Sequence, residues 1–108
     1  ISSNSMQPAL NYGDVVFIKG INSDSLEIED IILYNCPTKE NLCVAENQLI
    51  VHRIEKINRD NGIKTKGDAN ERTDRWLVKF SWIKGKMFFR IPFLGTPIVA
   101  AKEIMGIL

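Results

Sequence analysis

Leu49-Ile50-Val51-His52-Arg53-Ile54-Glu55-Lys56-Ile57-Asn58-Arg59-Asp60-Asn61-Gly62-Ile63-Lys64-Thr65-Lys66 decides the fold. Leu49 to Ile57 and Ile63 to Lys66 are short runs rich in β-branched residues, and both read as strands. Asn58 to Gly62 between them tolerates turn geometry, so the stretch is a β-hairpin. With Asn61-Gly62 in a two- or four-residue turn, the register sets His52 opposite a point between Ala69 and Glu71. The one imidazole of the chain then stands beside Lys66-Gly67-Asp68-Ala69-Asn70.

Working outward, Val15 to Ile18, Ile31 to Tyr34, Trp76 to Ile83 and Lys86 to Ile91 read as further strands. Turn-prone segments separate them: Asn11-Tyr12-Gly13-Asp14, Lys19 to Asp24, and Lys84-Gly85. The fold class is therefore mainly β, in one domain over 1–108 without internal repeats. Helical periodicity is confined to the end, where Ile98, Val99, Ala101, Ile104, Met105 and Leu108 share a face. Pro92, Gly95 and Pro97 set this short C-terminal helix apart from the sheet. Core helix, helix at a bilayer surface and lead-in to a membrane span all fit that segment.

Lys plus Arg total 14 against 13 Asp plus Glu among 108 residues, a formal charge of +1. No net field steers nucleic acid, so no nucleic-acid partner is expected and function resides in a site. Trp76, Phe80, Trp82, Phe88 and Phe89 suit a core or a membrane-facing surface better than a base-stacking platform. No run of about 18 apolar residues is present to span a bilayer. The chain opens at Ile1 rather than at methionine, and the expectation is that a preceding segment was removed or left out. With one histidine, a structural zinc site lacks ligands unless carboxylates join, so no metal is expected. Cys36 and Cys43 flank the turn-rich Pro37-Thr38-Lys39-Glu40-Asn41-Leu42. Two reduced thiols fit this spacing, and so does a disulfide clasp worth roughly 2.5 kcal/mol in an oxidising compartment.

A lone strand histidine is more often structural than catalytic, but its neighbours here change the weighing. Asp68 and Asp74 are both available to take one ring proton, freeing the other nitrogen to act as a base. Ser2-Ser3-Asn4-Ser5-Met6-Gln7-Pro8 offers hydroxyl nucleophiles, although such a segment also fits a frayed polar terminus. Asp14 is read as shaping its turn, and Arg53 as pairing with a carboxylate on the sheet surface.

Ser3-Asn4-Ser5-Met6-Gln7-Pro8, Gly13-Asp14-Val15-Val16, Val51-His52-Arg53-Ile54, Lys66-Gly67-Asp68-Ala69-Asn70 with Asp74, and Arg90-Ile91-Pro92-Phe93-Leu94-Gly95 occur in that order. The series resembles the ordered boxes of type I signal peptidases over nearly the whole chain. Histidine in place of lysine makes it similar to the archaeal and endoplasmic-reticulum branch, with a signal-peptidase/LexA-like β-fold. The resemblance implies Ser5 as nucleophile, His52 as general base and Asp74 as the group that orients it, with Asp68 as the second acidic candidate. The hairpin register taken alone favours Asp68. The resemblance further implies that the Ser3 hydroxyl and the Ser5 backbone N–H stabilise the oxyanion, and that Ile1, Met6, Leu10, Ile50 and Val51 line the substrate pocket.

The implied activity is a membrane-associated serine endopeptidase that removes signal peptides from secretory precursors through an acyl-enzyme, an acyl-transfer chemistry that calls for no cofactor. A transmembrane anchor is expected upstream, a lipid bilayer as partner, and a catalytic domain on the extracytoplasmic or lumenal side. Two competing readings are a LexA-type self-cleaving protein and a noncatalytic β subunit of a secretion complex. The first needs a lysine base, and neither Lys56 nor Lys66 stands at the matched position. Intact Ser5, His52 and both aspartates weigh against the second.

Overall fold

Strand β3 (Gln48–Asn58) is the longest of the sheet at 11 residues, and the shorter β4 (Gly62–Lys66) pairs with its second half. The computed structural model describes residues 5–36 and 48–92. With β1 (Val15–Lys19), β2 (Ile31–Cys36) and β5 (Ile83–Ile91) the strands form one sheet in the order β1-β5-β2-β3-β4, each neighbouring pair antiparallel. Helix among the described residues is limited to two three-residue 3-10 turns, Ser23–Ser25 and Phe80–Trp82. No helix among them is long and apolar enough to cross a membrane. The mainly-β expectation holds. The expected C-terminal helix lies outside the described residues.

The hairpin forms with a different turn from the one expected. Asn58 pairs with Gly62, leaving Arg59-Asp60-Asn61 as a three-residue turn. The Asn58 Oδ1 accepts the N–H groups of Asp60 and Asn61 at 3.0 and 3.1 Å, which favours that loop over one centred on Asn61-Gly62. Gly62 takes a φ of 134°, a conformation that only glycine adopts cheaply. A bulge at Glu55 then shifts the pairing from Lys56↔Lys64 to Ile54↔Thr65 and Arg53↔Lys66. Continued by one residue, this register sets His52 level with Gly67, short of the expected Ala69 to Glu71.

Two more expectations are corrected. Trp76 to Ile83 is not a sheet strand. Trp76 and Val78 are buried while Arg75, Leu77 and Lys79 are exposed, so the alternation is real, but the backbone meets the sheet only through the Ile63↔Val78 bridge. The segment meets the edge strand β4 through that bridge and adds Trp76, Val78 and Trp82 to the core. Lys84-Gly85 is not a turn either; it lies inside β5. A Cβ at Gly85 would collide with the Lys19 carbonyl, so this glycine serves the close approach of two strands.

Alternating side chains divide the apolar residues between the two faces of the sheet. One face carries Leu26, Ile32, Tyr34, Cys36, Ile50, Ile54, Ile63, Trp76, Val78 and Trp82. Each fully buried aliphatic residue there contributes about 1.5–3 kcal/mol. The other cluster joins Met6, Leu10 and Ile31, with Val16, Val51 and Met87 packed against it. Cys36 is disulfide-bonded; Cys43 lies outside the described residues.

Tyr34 is fully buried, and desolvation pushes its phenol up from 10.0 to about 12, partly offset by hydrogen bonds with Thr65 and Trp76. The folded state therefore holds this proton more tightly than the unfolded chain. That stability is present in full below pH 10 and is lost as pH rises towards about 12, a contribution of about 2–3 kcal/mol. Denaturant melts at about pH 9 and about pH 11 are expected to differ by about 1.3 kcal/mol, half of the full contribution, and Tyr34→Phe is expected to flatten the difference.

Candidate active site

β4 ends at Lys66, opposite Arg53, so β3 outruns its neighbour at the level of His52. The space is taken by Gly67 to Asn70, turned by an Asn70 N–H to Gly67 carbonyl bond of 2.9 Å, and by the leading segment of the chain. His52 pairs across the sheet with Ile32, which turns its ring to the main core face at 7% exposure.

Asp74 reaches the same face on the return of the chain after β4, where its N–H bonds the Thr65 carbonyl at 2.9 Å. Its Oδ2 stands 2.6 Å from His52 Nδ1 and accepts the Thr65 hydroxyl at 2.7 Å. An ionised carboxylate only accepts, so Nδ1 carries the ring proton and Nε2 presents a lone pair. That nitrogen lies 3.1 Å from Ser5 Oγ. Hydroxyl, imidazole and carboxylate thus form one hydrogen-bonded row.

Ser5 is held there largely by its neighbour. Met6 is buried against Leu10 and Ile31, its carbonyl accepts the Leu10 N–H at 2.9 Å, and its sulfur accepts the Asp68 N–H at 3.3 Å. The Ser5 carbonyl accepts the Ala69 N–H at 2.8 Å. Gly67 makes this approach feasible, since a Cβ there would stand 2.6 Å from the Ser5 carbonyl oxygen and 3.0 Å from His52 Nε2. Gly67→Ala is expected to displace the hydroxyl from the imidazole and cost about 100-fold in kcat. A far-ultraviolet spectrum unchanged from the parent would show that the sheet itself survives.

The two acidic candidates are placed apart. Asp74 is on His52; Asp68 is not. Asp68 makes a two-pronged pair with Arg53, Oδ1 to Nε at 2.9 Å and Oδ2 to Nη2 at 2.8 Å, and Arg53 Nη1 also bonds the Glu29 carbonyl at 2.9 Å. The Asp68 bonds hold the guanidinium above its ordinary pKa, against a smaller opposing effect of burial. This pair ties the 67–70 loop to β3. The hairpin register pointed to Asp68 because it followed strand pairing alone and not the return of the chain over Thr65, which brings Asp74 to the ring.

Asp14 shapes its turn through Oδ2, which accepts the Asn11 N–H at 2.8 Å, and it also accepts Arg90 Nη1 at 2.9 Å. Lys66 donates to the Gly67 carbonyl at 3.3 Å and Lys56 is exposed. Among the expected pocket residues, Met6, Leu10 and Ile50 are buried. Ile50 and Val51 belong to opposite clusters, so they point to opposite faces of the sheet. Ile1 and Ser3 lie outside the described residues. Sequence reasoning passed over Thr65, which bonds the Asp74 carboxylate, and Tyr34 and Trp76, which follow it in a chain of hydrogen bonds. The available signal was Thr65 itself, a polar residue two places after Ile63 on the inward side of a strand, where a buried hydroxyl needs a partner.

The chain is 35% identical over 92 residues to the signal peptidase complex catalytic subunit SEC11C of Homo sapiens, a match covering 80% of this chain and 44% of that protein. The same figures hold for SEC11C of Mus musculus. The signal peptidase complex catalytic subunit SEC11 of Ogataea parapolymorpha is 27% identical over 118 residues, covering 95% of this chain and 66% of that protein. The chain thus spans less than half the length of the mammalian relatives. No protein-family profile matches it. Taken together, these matches make the chain distantly similar in sequence to signal peptidase complex catalytic subunits.

Proposed function

We propose that the protein is a membrane-associated serine endopeptidase that cleaves signal peptides from secretory precursors. The observation that carries this reading is the row Ser5 Oγ, His52 Nε2 and Nδ1, Asp74 Oδ2, at 3.1 and 2.6 Å. Ser5 Oγ attacks the scissile carbonyl carbon while His52 Nε2 takes the hydroxyl proton, and Asp74 stabilises the imidazolium that forms. The tetrahedral oxyanion is met by the Ser5 N–H and the Ser3 hydroxyl, each such donor worth about 3–4 kcal/mol. Collapse breaks the C–N bond and His52 returns its proton to the leaving amine. Water, deprotonated by the same nitrogen, then releases the acyl group.

The substrate is an extended segment with small residues at the first and third positions before the cut, paired by its backbone with an open strand edge. Ile1, Met6, Leu10, Ile50 and Val51 remain the proposed pocket residues, Ile50 contributing from the face that carries His52 and Met6, Leu10 and Val51 from the opposite cluster. A substrate held in the bilayer by its apolar segment calls for an enzyme at the membrane. Phe88 and Phe89 support such a contact at 60% and 54% exposure, as does their packing with Phe17 at centroid distances of 6.2 and 5.5 Å. The Cys36 disulfide supports an extracytoplasmic or lumenal site of action. The reading is tested by incubating the protein with a precursor carrying small residues before the cut. Leader release that persists in Ser5→Ala would overturn it.

A further inference from the structure

We propose that Thr65, Tyr34 and Trp76 form a one-way hydrogen-bond relay that holds Asp74 against His52, which makes Thr65 a positioning residue for the reaction. The inference rests on the peptidase reading above.

Counting hydrogens fixes the direction of the relay. The Trp76 indole N–H can only donate, and it stands 2.8 Å from the Tyr34 oxygen. The Tyr34 hydroxyl, having accepted, keeps one hydrogen, and Thr65 Oγ1 lies 3.3 Å away. The Thr65 hydrogen is already committed, because Asp74 Oδ2 at 2.7 Å can only accept. The arrangement that satisfies every group runs from indole to phenol to hydroxyl to carboxylate. All of these groups are buried, and His52 with them, so each bond acts in a low-dielectric setting where it polarises the next.

Packing does not require this polar row. Phenylalanine and valine fill nearly the volumes of Tyr34 and Thr65, and apolar replacement of both partners in a buried bond is close to neutral for stability. What the row adds is a second donor on the same oxygen that receives His52 Nδ1. Two donors on Oδ2 leave the carboxylate one orientation, and they share its negative charge. Burial also keeps Tyr34 protonated, hence a donor, throughout any working pH.

Without the Thr65 hydrogen, the carboxylate turns more freely and its undivided charge holds the imidazolium more strongly. The first effect lowers kcat; the second moves the acid limb of the pH profile upward. The other ionisable groups on the elements packed around the pair are Arg53 and Glu55 on β3, Lys64 and Lys66 on β4, Asp68, Glu71, Arg72 and Arg75 on the return, and Tyr34 on β2. Arg53 is bound to Asp68, Glu55 to Thr73, and Lys64 to the carbonyls of Asp74, Arg75 and Trp76, so none of these bonds runs to the Asp74 carboxylate.

The test compares Thr65→Val, Thr65→Ser and Tyr34→Phe with the parent in precursor cleavage across pH, with melting temperature recorded for each. Thr65→Val is expected to lower kcat about tenfold to 100-fold, change KM by less than about twofold, and raise the acid limb by about half a pH unit. Thr65→Ser restores both, and Tyr34→Phe moves both in the same direction by less. A Thr65→Val enzyme with the parental limb overturns the relay, as does a loss that follows melting temperature and is not recovered by serine. Because His52 is the only histidine, its ring resonances titrate unambiguously by NMR and report the same shift without any activity. A shift there, in a protein whose cleavage survives Ser5→Ala, would keep the relay and sink the peptidase reading; no shift in an active enzyme would do the reverse.

Discussion

Ser5→Ala and His52→Ala are each expected to reduce precursor cleavage by about four to six orders of magnitude, and the double variant by little more. The near-equality follows from the row itself. The hydroxyl is a poor nucleophile until Nε2, at 3.1 Å, takes its proton, so removing either partner removes the same step. The surviving rate comes from whatever stabilises the oxyanion and holds the substrate, which neither substitution touches. Measuring kcat and KM for the three variants against one precursor checks this. Multiplying losses would mean that the two side chains act independently, contrary to their contact. A strong cleavage in His52→Ala would shift attention to Lys66, whose ammonium is spent on the Gly67 carbonyl in the present fold.

The second large effect separates two carboxylates that look alike in the sequence. Asp74→Asn leaves the shape of the side chain intact but puts an amide where His52 Nδ1–H needs an acceptor, and the ring is driven toward the tautomer with its proton on Nε2. That tautomer has no lone pair to offer Ser5, so a loss of about 10,000-fold is expected. Asp68→Asn instead weakens the clasp of Arg53 on the 67–70 loop, an interaction between partly exposed groups. Its cost should reach no more than about tenfold, and it should appear together with a lower melting temperature. Reversed magnitudes in side-by-side kinetics would show that the orienting carboxylate had been misassigned.

The sheet was legible because its signals are local. Val15 to Ile18, Ile31 to Tyr34 and the Leu49 to Lys66 hairpin combine β-branched residues with turn chemistry that acts over a few positions, and all became strands. Pairing partners are not local. Trp76 to Lys79 alternates as a strand does, yet its polar backbone is only once bridged to the sheet, a distinction that residue pattern does not encode. Gly85 shows the complementary error, for a glycine read as a turn is there to let another strand come close.

The site divides along the same line. His52 and its loop were brought together by hairpin arithmetic alone, two to four residues too far along because the turn holds three residues and a bulge intervenes at Glu55. Ser5 and Asp74 were nominated by resemblance, since nothing in local spacing carries a residue across the 47 positions from Ser5 to His52. Thr65, Tyr34 and Trp76 went unnoticed because their significance lies in hydrogen bonds spanning up to 42 positions.

The leading segment also leaves the ribosome before its chemical partners exist. A nascent chain that has been made only as far as β2 carries the hydroxyl but neither imidazole nor carboxylate, and it has no loop on which to seat Ser5. On the proposed peptidase reading, the row of hydroxyl, imidazole and carboxylate therefore stays incomplete until translation has passed Asp74 and the return over Thr65 has closed.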